Sequence, residues 1–208
     1  MNIKQFSLGP LGTNCYLIYQ ERHAIIIDPG GDSHVLVDYF TKNQLNPEAI
    51  LLTHGHFDHI GAVEELRQYY QFPVYMHEEE KTWLDNPELN GSKLFIGNEI
   101  TTKEPDFLLK PGKTKISQFD FDVFHTPGHS PGSISFYFEN SKFIVSGDVL
   151  FYQGIGRTDL PGGDYGRIEE TIRNIFYRLP DETVVYSGHG PHTTIEEEKR
   201  NNPFISQK

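Results

Sequence analysis

Residues 53–60, Thr-His-Gly-His-Phe-Asp-His-Ile, place three histidines and one aspartate within six positions. Clustered imidazoles repel one another whenever they are protonated, and the commonest reason to gather them is a metal ion. Imidazole and carboxylate groups suit zinc and iron alike. A solvated polar loop is the structural alternative, but it explains this composition less well. We therefore predict metal binding by His54, His56, Asp58 and His59.

The elements around this stretch are expected to be a buried strand and a helix. The preceding apolar run predicts a strand over residues 49–53, and the following run has the apolar spacing of a helix. Because side chains alternate along an extended chain, His54 and His56 share one face. Asp58 and His59 lie at the start of the helix, so their side chains are expected to approach from a different direction. This geometry favours two adjacent metal positions over one.

Four further residues of metal-ligand type each follow a predicted strand: Asp28, His129, Asp148 and His189. Functional groups are commonly placed at the strand ends along one edge of a rigid core. The last three each follow a glycine, which lets the backbone turn closely. The sequence therefore predicts that these strand ends contribute to the same site as the histidine turn.

Each of these residues also has an ordinary structural interpretation. His129 alone would be a surface histidine, and Asp148 could be a helix N-cap or turn residue. The histidine turn favours the metal interpretation of both residues, with Asp148 bridging because two close cations need an anion between them. Asp28 begins an Asp-Pro-Gly turn signal. It is equally well interpreted as the hydrogen-bond acceptor of a ligand histidine.

The remaining elements are predicted less sharply. The second half of the chain is β-rich, with a tight turn expected at Asp120 between two strands. Thr194 and Glu197 form a capping-box pattern at the start of the last helix. Residues 77–97 hold a short helix and a loop with no clear pattern. The five other histidines lack a metal-site context and are expected to be structural or exposed.

Composition limits the class of protein. A chain of 208 residues is most simply one domain with a substantial core. Its 18 basic and 29 acidic residues give a net charge of 18 − 29 = −11, which disfavours nucleic-acid and anionic-membrane partners. No apolar run approaches the roughly 20 residues of a membrane span. The first 20 residues also lack the pattern of a secretory signal.

The cysteine content points to a reducing compartment. Cys15 is the only cysteine, so no disulfide can form within the chain. It is interpreted as a small buried side chain and not as a nucleophile, because no activating residue is visible near it. We therefore expect a cytoplasmic protein that acts on a small-molecule substrate.

The order and separations of these ligand-type residues resemble the metallo-β-lactamase superfamily. The similarity covers the chain from about Asn2 to Pro203. Within that superfamily the chain most resembles the glyoxalase II group, the hydroxyacylglutathione hydrolases, in the short form that lacks a C-terminal helical domain. Four further segments share that group's pattern: Asn14–Leu17, Asp28–Gly31, Thr126–Ser130 and Gly147–Phe151.

The resemblance implies an α/β fold, a four-layer αββα metallo-β-lactamase sandwich. It implies one such domain over residues 1–208, with no C-terminal helical substrate domain. It also implies two divalent metal ions, zinc in the first instance, with iron or manganese as alternatives. The implied ligands are His54, His56 and His129 for the first ion and Asp58, His59 and His189 for the second, with Asp148 between them.

The chain departs from glyoxalase II at the substrate positions. That group has a lysine, and two residues later a tyrosine, in contact with glutathione, where this chain has Arg157 and Asp159. An aromatic residue shortly after the last ligand histidine is replaced by Gly190 and Pro191. Arginine favours bidentate contacts with carboxylates, so we expect Arg157 to bind an anionic part of the substrate. The sequence does not identify the thiol or the acyl group of the substrate.

The leading hypothesis is thioester hydrolysis. A hydroxide between two metals is available near neutral pH and attacks the carbonyl, while the first metal stabilises the oxyanion. Because free thiols have a pKa of about 8.5, the thiolate leaves with little help from an acid. An amide or lactam nitrogen would need protonation, and Asp58, which can also orient the hydroxide, is the one spare acid visible.

Two other functions are consistent with the same residues. The Gly156–Asp159 run also resembles the persulfide dioxygenases, in which one iron could be held by His54, His129 and Asp148. A metal-stabilised binding module without enzymatic activity is the other alternative. A structural zinc site closes with four ligands, and the seven implied ligands exceed that need.

Overall fold

The strands and helices of the chain group into two units, and the computed structural model describes residues 1–205. The first unit holds residues 1–109 with 116–118, and the second holds residues 110–115 with 119–205. Each unit carries a six-stranded sheet among the described residues.

The sheet of the first unit is antiparallel at one edge and parallel through the rest. Its strands pair in chain order, antiparallel for the first three and parallel from the third onward. Parallel neighbours need long crossover connections, usually helices, and the chain supplies them after the third strand. The strands are β1 Asn2–Leu8, β2 Thr13–Gln20, β3 His23–Ile27, β4 Asn46–Leu51, β5 Val74–His77 and β6 Phe107–Leu109.

Helices of the first unit pack on this sheet through their apolar faces. They are α1 Ser33–Asn43, α2 Phe57–Ile60, α3 Val63–Tyr70 and α4 Ser92–Ile96, with a 3₁₀ helix over Glu78–Trp83. Leu36 and Phe40 of α1 and Leu66 of α3 join Ile26 and Ile50 in one buried cluster. Burial of these side chains fixes where β3 and β4 end, and those ends carry Asp28 and the histidine turn.

The sheet of the second unit is mainly antiparallel, with one parallel pair between β10 and β13. Its strand order is β14-β13-β10-β9-β8-β7, and a two-stranded ribbon pairs β11 with β12. The strands are β7 Gly112–Ile116, β8 Phe119–His125, β9 Ile134–Phe138, β10 Phe143–Gly147, β11 Leu150–Phe151, β12 Gly154–Ile155, β13 Val184–Ser187 and β14 Thr193–Thr194.

Helices α5 Tyr165–Asn174 and α6 Ile195–Asn201 complete the second unit, with 3₁₀ turns at Glu139–Ser141 and Phe176–Arg178. Ile168 and Ile172 of α5 are wholly buried with apolar residues of the sheet. The Thr194 hydroxyl accepts a hydrogen bond from the amide of Glu197, as the capping-box pattern predicts.

Three local predictions need correction. The turn between β7 and β8 lies at residues 117 and 118, with Ser117 at φ +54°, and Asp120 lies inside β8. The fourth strand ends at Leu51, two residues earlier than predicted. The helix after the histidine turn is two helices, α2 and α3, because Gly61 and Ala62 lie between them.

The described part of the chain, residues 1–205, contains no helix long and apolar enough to cross a membrane.

Candidate metal centre

The histidine turn follows β4 and runs into the short helix α2. All four of its ligand-type side chains are buried: His54, His56, Asp58 and His59 are between 0% and 6% exposed. Their burial rules out a solvated loop. A buried histidine cluster is costly unless the imidazoles meet a cation or hydrogen-bond partners.

Within the first unit these side chains lie close enough to serve common ions. The rings of His54 and His56 are 4.8 Å apart between centroids, and those of His54 and His59 are 4.1 Å apart. One ligand atom of each residue in these two pairs lies within 4.8 Å of its counterpart. His59 Nε2 lies 3.6 Å from Asp58 Oδ2. The turn therefore presents imidazole and carboxylate donors from one short segment.

Asp28 organises the base of the turn. Its φ of +53° is a left-handed conformation that aspartate tolerates better than most residues. Its Oδ1 accepts a hydrogen bond from the Thr53 amide at 2.8 Å, and its Oδ2 accepts one from the Thr53 hydroxyl at 2.6 Å. Asp28 Oδ2 also lies 2.9 Å from His59 Nδ1. Asp28 is thus both a turn residue and a hydrogen-bond partner of His59.

Three contacts to the turn were not foreseen from the sequence. The Thr13 hydroxyl donates to Asp58 Oδ2 at 2.7 Å. The Gly55 amide donates to Glu80 Oε2 at 2.6 Å, and the Phe57 amide donates to the carbonyl of Asn90 at 3.0 Å. These partners lie far from the turn in sequence, and no local pattern marks them.

The second unit places its three ligand-type residues after three different strands. His129 follows β8, Asp148 follows β10 and His189 follows β13. His129 Nε2 lies 3.8 Å from Asp148 Oδ2, and His189 Nε2 lies 3.4 Å from the same oxygen. The His189 side chain is 32% exposed, whereas the His129 side chain is 3% exposed. Asp148 is therefore close to both histidines of its unit.

Backbone groups fix these residues. The carbonyl of Arg157 accepts a hydrogen bond from His129 Nδ1 at 2.8 Å, which leaves Nε2 as the ligand nitrogen. A side chain at Gly156 would meet the carbonyl oxygen of Asp148 at 1.8 Å, so only glycine allows this approach.

Arg157 contributes its main chain to this arrangement, while its side chain pairs with Asp159. Arg157 Nε and a terminal nitrogen donate to the two carboxylate oxygens of Asp159 at 2.7 and 2.8 Å. These hydrogen bonds lower the pKa of Asp159 to about 2 and raise the pKa of Arg157. The pair is exposed, so water screens it and it adds little stability.

The residues set aside as structural lie elsewhere in the units. Cys15 is wholly buried in β2, and burial, with a further contribution from the charge of Asp28, raises its thiol pKa well above the usual value. A thiol in this state is a poor nucleophile, in agreement with its predicted structural role. His23 pairs with Glu48, and His125 Nε2 lies 2.8 Å from the carbonyl oxygen of Pro131.

Comparison with known families decides the kind of fold. The profile described as "Metallo-beta-lactamase superfamily" matches residues 8–189. The chain belongs to the metallo-β-lactamase superfamily. The resemblance and the α/β metallo-β-lactamase fold expected from the sequence are thereby confirmed.

Two relatives match this metallo-β-lactamase superfamily chain over nearly its whole length. The "Probable metallo-hydrolase YqgX" of Bacillus subtilis (strain 168) is 44% identical, over 99% of this chain and 98% of the relative. The "Hydroxyacylglutathione hydrolase GloC" of Haemophilus influenzae is 38% identical over 100% of both. These relatives indicate an enzyme of the metallo-hydrolase type with a small-molecule substrate.

Two solved structures are similar to the chain. The structure titled "BLEG-1 B3 metallo-beta-lactamase" aligns with a TM-score of 0.97 and 50% identity, covering 99% of this chain and all of that one. The structure titled "TTHA1623 in a di-iron-bound form" aligns with a TM-score of 0.84 and 38% identity, covering 97% and 100%. For this metallo-β-lactamase superfamily chain, the histidine and aspartate clusters suit a site for two metal ions.

Proposed function

We propose that the chain is a metal-dependent hydrolase of the glyoxalase II type that cleaves an anionic thioester. The observation that carries this proposal is the full-length relationship, at 38% identity, to a protein named as a hydroxyacylglutathione hydrolase. The buried histidine and aspartate clusters support it, because they provide the donor types that a dinuclear hydrolase needs.

The proposed ligand set combines the two clusters. His54, His56 and His129 would hold the first ion, Asp58, His59 and His189 would hold the second, and Asp148 would contribute its carboxylate to both. Support comes from the burial of the four residues in the first unit and from the closeness of Asp148 to both histidines in the second. Zinc is the proposed metal, with iron or manganese as alternatives, because imidazole and carboxylate donors accept all three.

Two divalent ions in this site would lower the pKa of water and polarise the thioester carbonyl. The chain supplies the orientation. Asp28 fixes the ring of His59 through Nδ1 and so leaves Nε2 to face the ion. Thr13 holds one carboxylate oxygen of Asp58, which sets the direction in which Asp58 can accept a proton from the attacking water.

The same residues favour a thioester over an amide or a lactam. A thiolate leaves unprotonated near neutral pH, since thiols have a pKa of about 8.5. A leaving nitrogen needs a proton from a general acid. Asp58 is the proposed acid–base residue, and it is already engaged by Thr13. A reaction that needs no acid therefore fits the residues of this chain best.

Arg157 is the proposed contact for an anionic part of the substrate. Its guanidinium is half exposed and presents a planar fork of donors that matches a carboxylate. Asp159 occupies that fork through two hydrogen bonds, so a substrate carboxylate has to compete with it or bind the remaining donors.

The titles of the two solved structures suggest two alternative reactions. One similar structure is titled a B3 metallo-β-lactamase, which favours β-lactam hydrolysis. The other is titled a di-iron-bound form, so a similar fold holds iron, the metal that the persulfide dioxygenase alternative requires, although that alternative uses one iron and not two.

The deciding experiment pairs metal analysis with a substrate panel. The chain is purified from its native host, its metals are measured, and it is assayed with thioesters including S-lactoylglutathione, with a chromogenic β-lactam and with a persulfide under oxygen. We expect two metal ions per chain and anaerobic thioester turnover. One iron with oxygen uptake would support the dioxygenase, and turnover of the β-lactam alone would support the lactamase. Failure of every thioester would contradict the proposal.

We further propose one domain over residues 1–208. The profile match over residues 8–189 and the full-length alignments support it. The single buried cysteine is in keeping with the proposed cytoplasmic location, because reducing compartments keep thiols free.

A further inference from the structure

Gly55 and Phe57 are the neighbours of His56, and the backbone amides of both donate hydrogen bonds to one segment of the first unit. The Gly55 amide donates to the side chain of Glu80, and the Phe57 amide donates to the main-chain carbonyl of Asn90. Both acceptors lie in residues 78–92, which we call the bracing segment. No function is predicted for this part of the chain from its residue pattern.

Glu80 is unusual for a charged residue because it is 0% exposed. Glutamate is almost never fully buried unless its carboxylate is paired or hydrogen-bonded. Here Oε2 accepts the Gly55 amide at 2.6 Å, a short distance typical of a charge-assisted hydrogen bond. The residue lies in the 3₁₀ helix Glu78–Trp83, so its backbone is fixed by secondary structure.

The bracing segment also packs directly on the turn. The Trp83 ring lies 5.5 Å from the His56 ring between centroids. A side-chain carbon at Gly55 would lie 3.0 Å from Trp83 Cβ and 3.3 Å from Glu80 Oε2. Glycine at position 55 therefore lets the turn approach the bracing segment closely enough for the hydrogen bond to form.

The bracing segment is itself cross-linked. The side-chain amide of Asn90 donates to the carbonyls of Trp83 and Ile100, and its oxygen accepts from the amide of Ser92. The bond to Trp83 ties Asn90 to the end of the 3₁₀ helix that carries Glu80, so the acceptors for Gly55 and Phe57 belong to one connected segment. The peptide that joins His54 to Gly55 and the peptide that joins His56 to Phe57 are therefore both held, which restricts the backbone between the two histidines.

We propose that Glu80 is a positioning residue for the metal centre, which acts through the Gly55 peptide to set the spacing of His54 and His56. The inference rests on the proposed function only in taking these two histidines as ligands of one ion. It is independent of the substrate. Partners that orient metal ligands from outside the coordination shell typically change metal affinity or activity by about 10–100-fold when they are lost.

The experiment compares Glu80→Ala and Glu80→Gln with wild type in the full-length chain. Zinc dissociation constants are measured by competition with a chromophoric chelator, and the absorption spectrum of the cobalt-substituted protein reports ligand geometry. We expect Glu80→Ala to bind zinc about 10–100-fold more weakly, with a changed cobalt spectrum. Glu80→Gln keeps an oxygen acceptor for the Gly55 amide, so we expect it to recover most of the affinity.

Glu198→Ala is the matched control, since Glu198 is also 0% exposed and accepts a backbone amide, that of Gln153. It should lower thermal stability in the metal-free state and change zinc affinity far less than Glu80→Ala. Wild-type affinity in Glu80→Ala, or an equal loss in Glu198→Ala, would overturn the inference. If Glu80→Ala does not fold, Glu80→Asp withdraws the carboxylate by one methylene, and unchanged affinity there has the same meaning.

This design separates the inference from the proposed function. A wild-type chain that binds no zinc, manganese or iron overturns the ligand assignment and the role of Glu80 with it. A wild-type chain that binds metal but hydrolyses no thioester overturns the proposed reaction and leaves the Glu80 measurement decisive.

Discussion

The first unit supplies its ligand-type residues from one six-residue turn, whereas the second unit supplies them from three strand ends. In the first, buried carboxylates hold the turn: Asp28 binds Thr53 and His59, and Glu80 binds the Gly55 amide. In the second, a backbone carbonyl holds His129 and glycines permit the close approach of the strand-end loops.

This difference has a physical origin. A turn that concentrates three imidazoles needs anionic partners nearby, because they fix tautomers and offset the charge of any protonated ring. Strand ends separated along the chain need no such compensation, and they need instead a backbone that can bend into a common site. Side-chain chemistry therefore organises the first cluster, and backbone geometry organises the second.

The largest effects should come from removing one ligand in each unit. The variants are His59→Ala and His189→Ala, since these two histidines belong to different units and are proposed as ligands of the same ion. Each should lower the metal content from two ions to one and reduce thioester turnover by at least ~100-fold, the upper range for loss of an outer partner. Metal content is measured by inductively coupled plasma mass spectrometry.

The double variant His59→Ala/His189→Ala tests whether the two clusters act together. If both histidines bind one ion, the double variant loses no more metal than either single variant, and the turnover losses are strongly non-additive. Loss of both ions in the double variant would assign the histidines to different ions and break the proposed ligand set.

The two clusters also differ in how far the sequence could predict them. The histidine turn was predicted residue by residue because its pattern is local and lies between a short apolar run and a helix. His129, Asp148 and His189 are predicted as ligand types at strand ends that share a site with the turn, and their assignment to individual ions depends on a family resemblance. The sequence pattern alone does not say which of these residues, up to 60 positions apart along the chain, bind the same ion.

The supporting contacts were missed for a related reason. Thr13 reaches Asp58 across 45 positions, and Glu80 reaches Gly55 across 25, so neither leaves a periodic signal. The turn predicted at Asp120 is wrong, because the chain reverses at residues 117 and 118, where Ser117 takes a left-handed conformation that its residue type does not signal.

The next prediction tests the reliance of the second unit on glycine. Gly128 has φ +134°, and a side-chain carbon there would lie 2.3 Å from the backbone nitrogen of Ile168. Gly128→Ala should destabilise the metal-free protein by about 2–6 kcal/mol, since backbone strain and overpacking each cost roughly 1–3 kcal/mol. Denaturant unfolding followed by circular dichroism measures the change.

Gly112 provides the matched control, with φ +129° in the same unit and no atom within 4 Å of an added carbon. Gly112→Ala should show the backbone strain alone. Equal losses in the two variants would mean that close packing at Gly128 adds nothing to the conformational effect.

The corresponding test in the first unit replaces a carboxylate. Asp28→Ala removes the partner of His59 Nδ1 and leaves two buried donors of Thr53 without their acceptor. We expect zinc affinity to fall by about 10–100-fold. Chelator competition measures it.

Thr53→Val serves as the comparison, because it removes the hydroxyl contacts to Asp28 Oδ2 and His54 Nδ1 and keeps the pairing of Asp28 with His59. It should retain most of the zinc affinity. A loss of zinc affinity in Thr53→Val as large as that in Asp28→Ala would show that the contacts of the Thr53 hydroxyl, and not the contact between Asp28 and His59, determine the affinity.

The smallest effects concern the exposed pair of Arg157 and Asp159, which lies beside the second cluster but outside its ligand set. Arg157→Ala should raise KM for an anionic thioester, leave KM for a neutral one nearly unchanged and keep both metals, because the carbonyl that holds His129 belongs to the main chain. Asp159→Asn should lower KM for the anionic substrate by freeing the guanidinium. Equal KM values in wild type and both variants would remove Arg157 from the substrate site.

The same pair gives a pH signature that needs no substrate. The folded-state pKa of Asp159 is about 2, below its ordinary value of roughly 3.9, because Arg157 donates to both carboxylate oxygens. The stabilisation from the pair is therefore present above about pH 4 and is lost as the pH falls toward 2. In Arg157→Ala the pKa of Asp159, followed by carboxyl-carbon NMR, should return to near its ordinary value. A titration unchanged by that substitution would show that another donor holds the carboxylate and that the guanidinium is already available to substrate.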